Sequence, residues 1–192
     1  MDFAAVYCTF HPRILRYLVR MIGPDEAEDL AQEVFVKINQ SLDDFRNESQ
    51  LSTWIYRIAT NAALDRMRSA EYRTARRTSP IAGSCEPGIA APVIPSFEIS
   101  VEHQAIRTEM SGCVQGLVNQ LPASYRTVLI LSDVEGLKDR EIADVLNLSL
   151  EAAKIRLHRA RARLKKSLEA QCSFYHDPQN TLLCDIKGAR PH

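Results

Sequence analysis

The sequence predicts an all-α protein made of two small helical domains joined by a flexible linker. Three observations predict it. Apolar residues recur at helical spacing through residues 1–77 and again through residues 98–170. Between them, Thr78 to Ser96 holds four prolines and two glycines in 19 residues. The few β-branched clusters, such as "TVLIL", lie inside stretches with helical start and stop signals, so strands are not favoured.

The elements follow in chain order. Leu30, Val34, Ile38 and Leu42 recur every four residues, and Phe35 widens the stripe. After the polar run "RNESQ" comes a second pattern, Trp54, Ile58, Ala62 and Met67 with Ile55 and Ala59 beside it; Ser52 or Thr53 is the expected N-cap. Residues 78–97 are the expected linker, because proline lacks the N–H that a helix needs and glycine is costly to order. "LPASYRTVLILSDVEG" then predicts a helix beginning after Pro122 and closing at Gly136. In "KDREIADVLNLS", Ile142, Val145 and Leu146 share a face, and small Ala143 permits close helix approach. In the next helix Leu150, Ala153, Leu157, Ala160, Leu164 and Leu168 form one stripe, for which the preceding helix is the expected partner. Asn147 suits a left-handed turn, Ser149 suits a cap, and Glu151 sits near the positive end of the helix dipole. Two helices across a short turn, the second strongly basic, make a helix-turn-helix.

Composition narrows the partners. With 192 residues, 45% hydrophobic and 25% charged, the chain has the profile of a soluble globular protein. Formal net charge is zero, but its distribution is uneven. Asp25, Glu26, Glu28, Asp29 and Glu33 form an acidic block, whereas Lys154 to Lys166 carries seven Lys or Arg and no acid. Segregated charge suggests separate surfaces for separate partners. No apolar run approaches the roughly 18 residues of a membrane span, and the N-terminus lacks the basic-then-apolar order of a secretory signal. A cytoplasmic protein with no membrane insertion of its own is expected. Five scattered cysteines, Cys8, Cys85, Cys113, Cys172 and Cys184, do not read as a disulfide framework.

The basic stretch "AAKIRLHRARARLKK" admits several readings on charge alone. A membrane-surface helix usually carries a bulkier apolar face with Trp or Phe, while this one alternates Ala with Leu. A calmodulin-type target and a merely solvated basic face remain. The helix-turn-helix context favours nucleic acid. Glu151, Lys154, Ile155 and His158 are outward neighbours able to reach base edges, and Arg156, Arg159 and Arg161 are placed for phosphates.

These residues carry a family resemblance. "LPASYRTVLILSDVEGLKDREIADVLNLSLEAAKIRLHRARARL" resembles region 4 of the extracytoplasmic-function (ECF) sigma factors of bacterial RNA polymerase. "EAEDLAQEVFVKINQSLDDFRNESQLSTWIYRIATNAALDRMR" resembles region 2 of the same family. The resemblance implies that residues 1–77 form region 2, residues 98–170 form region 4, and residues 171–192 are a cysteine-containing tail. It implies binding of Asp29, Gln32 and Glu33 to the β′ clamp helices of core polymerase, with a further contact to the β flap. Around the −10 element it implies capture of a flipped base by the loop from Phe45 to Ser52. Arg46, Asn47, Glu48, Ser49 and Gln50 offer polar groups for such a base, and Trp54 and Tyr56 offer flat faces; for Trp54, core packing is the equal alternative. Arg57, Asn61, Arg66 and Arg68 are backbone-contact candidates. Ala152 and Ile155 replace the small hydroxyl residues frequent in the family, and Asn147 replaces a usual Gly. Promoter DNA and an anti-sigma factor complete the implied partners.

The tail, "CSFYHDPQNTLLCDIK", holds Cys172, His176 and Cys184. Their spacing matches no common zinc module, so a metal site would need Asp177, His192 or a partner chain to complete it; metal or redox sensing is one reading, and a small hairpin turning at "DPQN" is equally compatible. No P-loop, nucleophile–base pair or strong metal motif is present, and neither catalysis nor a cofactor is expected. Isolated His11 and His103 read as surface residues. Two other functions compete: a stand-alone helix-turn-helix regulator acting without polymerase, and a helical DNA-processing enzyme using the acidic block, which lacks the partners a metal nuclease needs.

Overall fold

Asp2 starts the first helix, its carboxylate accepting the Ala4 N–H at 3.1 Å. The computed structural model of the chain describes residues 2–45, 49–76, 112–176 and 182–187. The expected linker, 78–97, lies outside them. Helix α1 spans Phe3–Ile22 and ends at Gly23, whose φ of +92° only glycine adopts without strain and whose N–H donates to the Val19 carbonyl at 3.0 Å. Pro24 then begins α2, Pro24–Ser41, where its missing N–H costs nothing. The predicted stripe is buried in full: Leu30, Val34, Phe35, Ile38 and Leu42.

Helix α3, Leu51–Arg76, begins earlier than the expected cap. Trp54 N–H already donates to the Gln50 carbonyl at 3.1 Å, and Thr53 is buried in the first turn, on the inward side with Tyr56 and Thr60. The apolar stripe is also turned by one position. Ile55, Tyr56, Ala59, Ala62 and Ala63 are buried, while Trp54, Ile58 and Met67 stand half-buried at its margin.

The chain divides into two compact units, Met1–Ser79 with Pro122–Arg161, and Pro80–Leu121 with Ala162–His192. In the first, α1, α2 and α3 pack mutually. Helix α5, Ala123–Leu129, starts after Pro122 as expected and widens into a π-helical segment, Ile130–Val134, where Glu135 N–H bonds the Ile130 carbonyl at 3.0 Å. Gly136, at φ +72°, ends it. Helix α6, Asp139–Leu146, begins with the Glu141 carboxylate accepting the Lys138 N–H at 2.7 Å. Asn147 adopts the left-handed conformation, φ 52° and ψ 53°, and Ser149 Oγ accepts the Ala152 N–H at 3.1 Å to cap α7, Leu150–Gln171. The turn chemistry is as the sequence predicts. Helix α6 packs mainly on α3. Ala59, Ala62 and Ala63 on α3 and Ala143 on α6 are all buried, and small side chains allow such close approach.

Polar residues tie this unit together. Tyr17 Oη lies 2.8 Å from Thr60 Oγ1, and its ring meets Tyr56 edge-on at 5.4 Å. Tyr56 Oη donates to Glu135 at 2.5 Å, Arg20 stands 3.9 Å from the same carboxylate, and Arg126 donates to the Met21 carbonyl at 3.0 Å. Burial pushes both phenols well above the usual tyrosine range, and for Tyr56 the Glu135 hydrogen bond and charge push the same way.

In the second unit, α4 (residues 112–119) buries Leu117 and Val118. The tail is a two-stranded antiparallel hairpin, β1 (Cys172–His176) and β2 (Leu182–Ile186), with Cys172 opposite Ile186 and Phe174 opposite Cys184. The turn "DPQN" lies outside the described residues. The protein is therefore helical, as predicted, with one small hairpin added.

Candidate protein-binding and nucleic-acid-binding surfaces

The acidic edge of α2 is open to solvent. Asp29, Gln32 and Glu33 are exposed, at helical spacings that place them along one side. Glu33 is also held from behind: Arg66 on α3 donates to it at 2.8 Å and to Glu26 at 3.0 Å. The family resemblance makes Arg66 a candidate for nucleic-acid backbone; in the fold its guanidinium bonds two α2 carboxylates. One turn beyond, Val36 is 56% exposed, the most exposed large apolar side chain among the described residues. Helical periodicity assigns Val36 to the outer face, but an outward Val carries no signal by itself.

At the start of α3, Phe45 and Trp54 face each other with ring centroids 5.2 Å apart and planes tilted by 43°. Both are half-buried, and Ser49 is half-buried beside the loop. Arg57 and Asn61 are exposed on α3, three and seven positions after Trp54. These form one edge that joins aromatic faces to hydrogen-bonding groups. Arg46, Asn47 and Glu48 lie outside the described residues. Tyr56 does not join them: it is fully buried and bonded to Glu135, so it offers no face to a base in this arrangement. Arg68 is exposed and paired with Asp65.

On α7 the inner stripe is Ala153, Leu157 and Ala160, buried, with Leu164 and Leu168 half-buried. Leu150 is 43% exposed and leaves the stripe. Outward stand Lys154, Ile155, His158 and Arg159, all exposed; Ile155 is 45% exposed, and Arg156 is half-buried at the margin. This face joins two cations, an imidazole and an apolar contact in two turns. Arg161 behaves differently. Its Nε donates to Asp133 Oδ2 at 3.2 Å, its Nη2 also bonds Asp133, and Nη2 donates to Ser132 Oγ at 3.1 Å. The Asp133 hydrogen bonds hold its guanidinium above its ordinary pKa. Asp133 lies on the π-helical segment, and the 28-residue separation leaves no local pattern from which to predict this fork.

In the tail, Cys172 is buried while His176 is exposed. Among the described residues no three His, Cys, Asp or Glu side chains converge as metal ligands. His11 is not an isolated surface residue: it stacks on Tyr7 at 4.7 Å and lies 5.5 Å from Phe35. No helix among the described residues is long and apolar enough to cross a membrane.

Two family matches coincide with these surfaces. Residues 6–73 match Sigma-70 region 2 and residues 111–164 match Sigma-70 region 4. The chain is 33% identical over 170 residues to the ECF RNA polymerase sigma factor SigW of Bacillus subtilis, covering 86% of this chain and 88% of that protein. It is 31% identical over 178 residues to the RNA polymerase sigma factor SigZ of the same organism, covering 92% and 93%. Among solved structures, the fold matches the sigma factor RpoE in its complex with the anti-sigma factor NepR from Bartonella quintana, with a TM-score of 0.65, 24% identity, and coverage of 88% of this chain and 97% of that one. It also matches CnrH in complex with the cytosolic domain of CnrY, with a TM-score of 0.59, 24% identity and 88% of each chain covered.

Proposed function

Because the chain belongs to the ECF sigma factors of bacterial RNA polymerase, we propose that its exposed faces divide the work of promoter-directed transcription initiation. It binds core polymerase and directs it to promoter DNA. Asp29, Gln32 and Glu33 meet the β′ clamp helices, with Arg66 fixing the Glu33 rotamer from α3. Phe45, Trp54, Arg57 and Asn61, with the loop of Arg46, Asn47, Glu48 and Ser49, receive the opened −10 strand. Lys154, Ile155 and His158 read the −35 element, and Arg156 and Arg159 hold its phosphates. Residues 1–77 and 98–170 are the two working domains; the region 2 and region 4 matches fall inside them. The role is that of an initiation factor with no catalytic chemistry of its own, acting in the cytoplasm. The solved complex of the sigma factor RpoE with the anti-sigma factor NepR supports control by such a partner.

The observation that carries the reading is the pairing of the two region matches in one chain, each with its expected exposed face: an acidic edge on α2 and a mixed basic face on α7. A stand-alone helix-turn-helix regulator accounts for the second and leaves the first without a role. The test is in vitro transcription with purified core polymerase on a genomic promoter library. Promoter-specific transcripts are expected, and Asp29→Ala with Gln32→Ala should weaken core binding by about tenfold or more while helicity is unchanged. A chain that neither binds core nor supports initiation overturns the reading.

A further inference from the structure

Arg66 stands on the side of α3 that faces α2, and two carboxylates of α2 share it. Its Nη1 donates to Glu26 Oε2 at 3.0 Å and its Nη2 to Glu33 Oε1 at 2.8 Å. The carboxylates are two helical turns apart, so one guanidinium spans both. They are not held equally. The Glu33 side chain is 53% exposed, that of Glu26 44% and that of Arg66 26%. The Glu26 hydrogen bond is the main cause that holds the guanidinium above its ordinary pKa, with the charge of Glu33 adding to it. Glu33 is also one turn from Asp29, so a cationic partner that reaches Asp29 meets Glu33 as well. Ion pairs this open to water are weak and exchange readily.

Beside the pairing lies an open cleft of about 660 Å³ between α2 and α3, lined by Lys37, Arg66 and Arg68 and by Glu33 and Asp65. Arg68 bonds Asp65, and Lys37 is exposed one turn beyond Glu33. Along α3 the cleft continues the edge of Arg57 and Asn61, because Asp65 and Arg68 follow Asn61 at helical spacing on the same exposed side. With Glu33 in place the lining carries one formal positive charge; with Glu33 drawn outward it carries two, and Arg66 Nη2 loses its acceptor.

We propose that Arg66 is exchanged between Glu33 and nucleic acid: when core polymerase takes Glu33, Arg66 and Lys37 bind a phosphate of the opened −10 strand in the cleft between α2 and α3. This rests on the docking of Glu33 on core polymerase described under the proposed function. Glu26 keeps Nη1 and so holds the guanidinium in position while Nη2 turns to the phosphate. Docking and strand binding are thereby coupled, and the coupling is reciprocal: the strand tightens core binding by the factor by which core tightens strand binding.

The probe is a fluorescent single strand of random sequence, about a dozen nucleotides long, because a phosphate contact carries no sequence information. It is titrated at several salt concentrations onto the full chain alone and onto the chain saturated with core polymerase. With core, Arg66→Ala should reduce the slope of log affinity against log salt by about 0.7, the share of one single-strand phosphate contact. In the chain alone, Glu33→Gln should steepen the slope by about the same 0.7, and adding Arg66→Ala to it should abolish the gain. Glu28→Gln, the same charge change at an exposed position of α2 away from Arg66, should leave the slope as it is. An unchanged slope for Arg66→Ala with core, no gain from Glu33→Gln, or a gain that survives in the double variant overturns the exchange. Glu33 is exposed, so its amide isostere tests the chain without disturbing the core. Failure of the unaltered chain to bind core is a separate result: it sinks the docking reading, and the free-chain variants still decide whether Glu33 withholds Arg66 from phosphate.

Discussion

Arg161 has the charge of a phosphate contact and the geometry of a clamp. Its fork closes on Asp133 and Ser132, while Arg159, two residues earlier, is exposed and points away from the buried stripe. The two should separate by salt dependence. Arg159→Ala is expected to reduce the slope of log affinity against log salt by about one, as one lost phosphate contact requires. Arg161→Ala should lower affinity with less change in slope, and Asp133→Ala should reproduce it; filter binding to a −35 duplex at several salt concentrations decides. The clamp is partly exposed, so its direct contribution to stability is small, within about 1 kcal/mol. Tyr56 makes a second residue-scale prediction. Tyr56→Phe should cost about 1 kcal/mol and Glu135→Ala about 1–3 kcal/mol, since the latter strands a buried hydroxyl. The folded-state pKa of Tyr17 and of Tyr56 is raised above its ordinary 10. Their contribution is therefore fully present below about pH 10 and lost as pH climbs beyond it. Urea melts across that range should show a fall that Tyr56→Phe reduces. Neither the clamp nor the phenol's partner was legible in the sequence, because residues 28 and 79 positions apart share no periodic signal.

At the scale of elements, local chemistry was read correctly where it is local. The left-handed Asn147, the Ser149 cap and the start after Pro122 each depend on one or two neighbouring residues. Asn147→Ala should cost about 1 kcal/mol, because Ala has no side-chain compensation in the left-handed region, and Asn147→Gly should cost nothing or stabilise. Ser149→Ala should cost about 1 kcal/mol through loss of the cap. Thermal melts of the full chain, with duplex binding in parallel, check all three. The stripe of α3 was misread by one position, and the reason is physical. Trp54 and Ile58 look like core by composition, yet Tyr56 goes inside because Glu135 receives its hydroxyl. A tyrosine scores as half-polar in any periodicity, so its burial depends on a partner outside the element. The hairpin was open in the sequence for a similar reason: ten residues of strand carry little pattern, and pairing settles it.

At the scale of the molecule, α6 and the first half of α7, up to Arg161, belong to one compact unit with the N-terminal helices. A unit of about 120 residues has a radius of gyration of about 14 Å, hence a diameter of roughly 35 Å. Promoter elements near −10 and −35 lie about 85 Å apart along a straight duplex, at about 3.4 Å per base pair. Under the proposed division of work one compact unit does not span that distance, so α6 is expected to leave α3 when both elements are read together. Fluorophores on Asp25→Cys and Asp144→Cys, both exposed positions, should show high energy transfer in the isolated chain and a marked loss on adding core polymerase and promoter. Unchanged transfer would mean that the contacts at Glu135 and Arg126 persist during initiation. By itself the sequence determined the helical class, the helix-turn-helix with its turn and cap, and the two paired regions of the family, because these depend on periodicity and on short runs of neighbouring residues. It took packing to place α6 on α3, to close Arg161 on Asp133 and to bury Tyr56 against Glu135. Each of those joins residues far apart in the chain, and only packing in three dimensions determines which of them share a place.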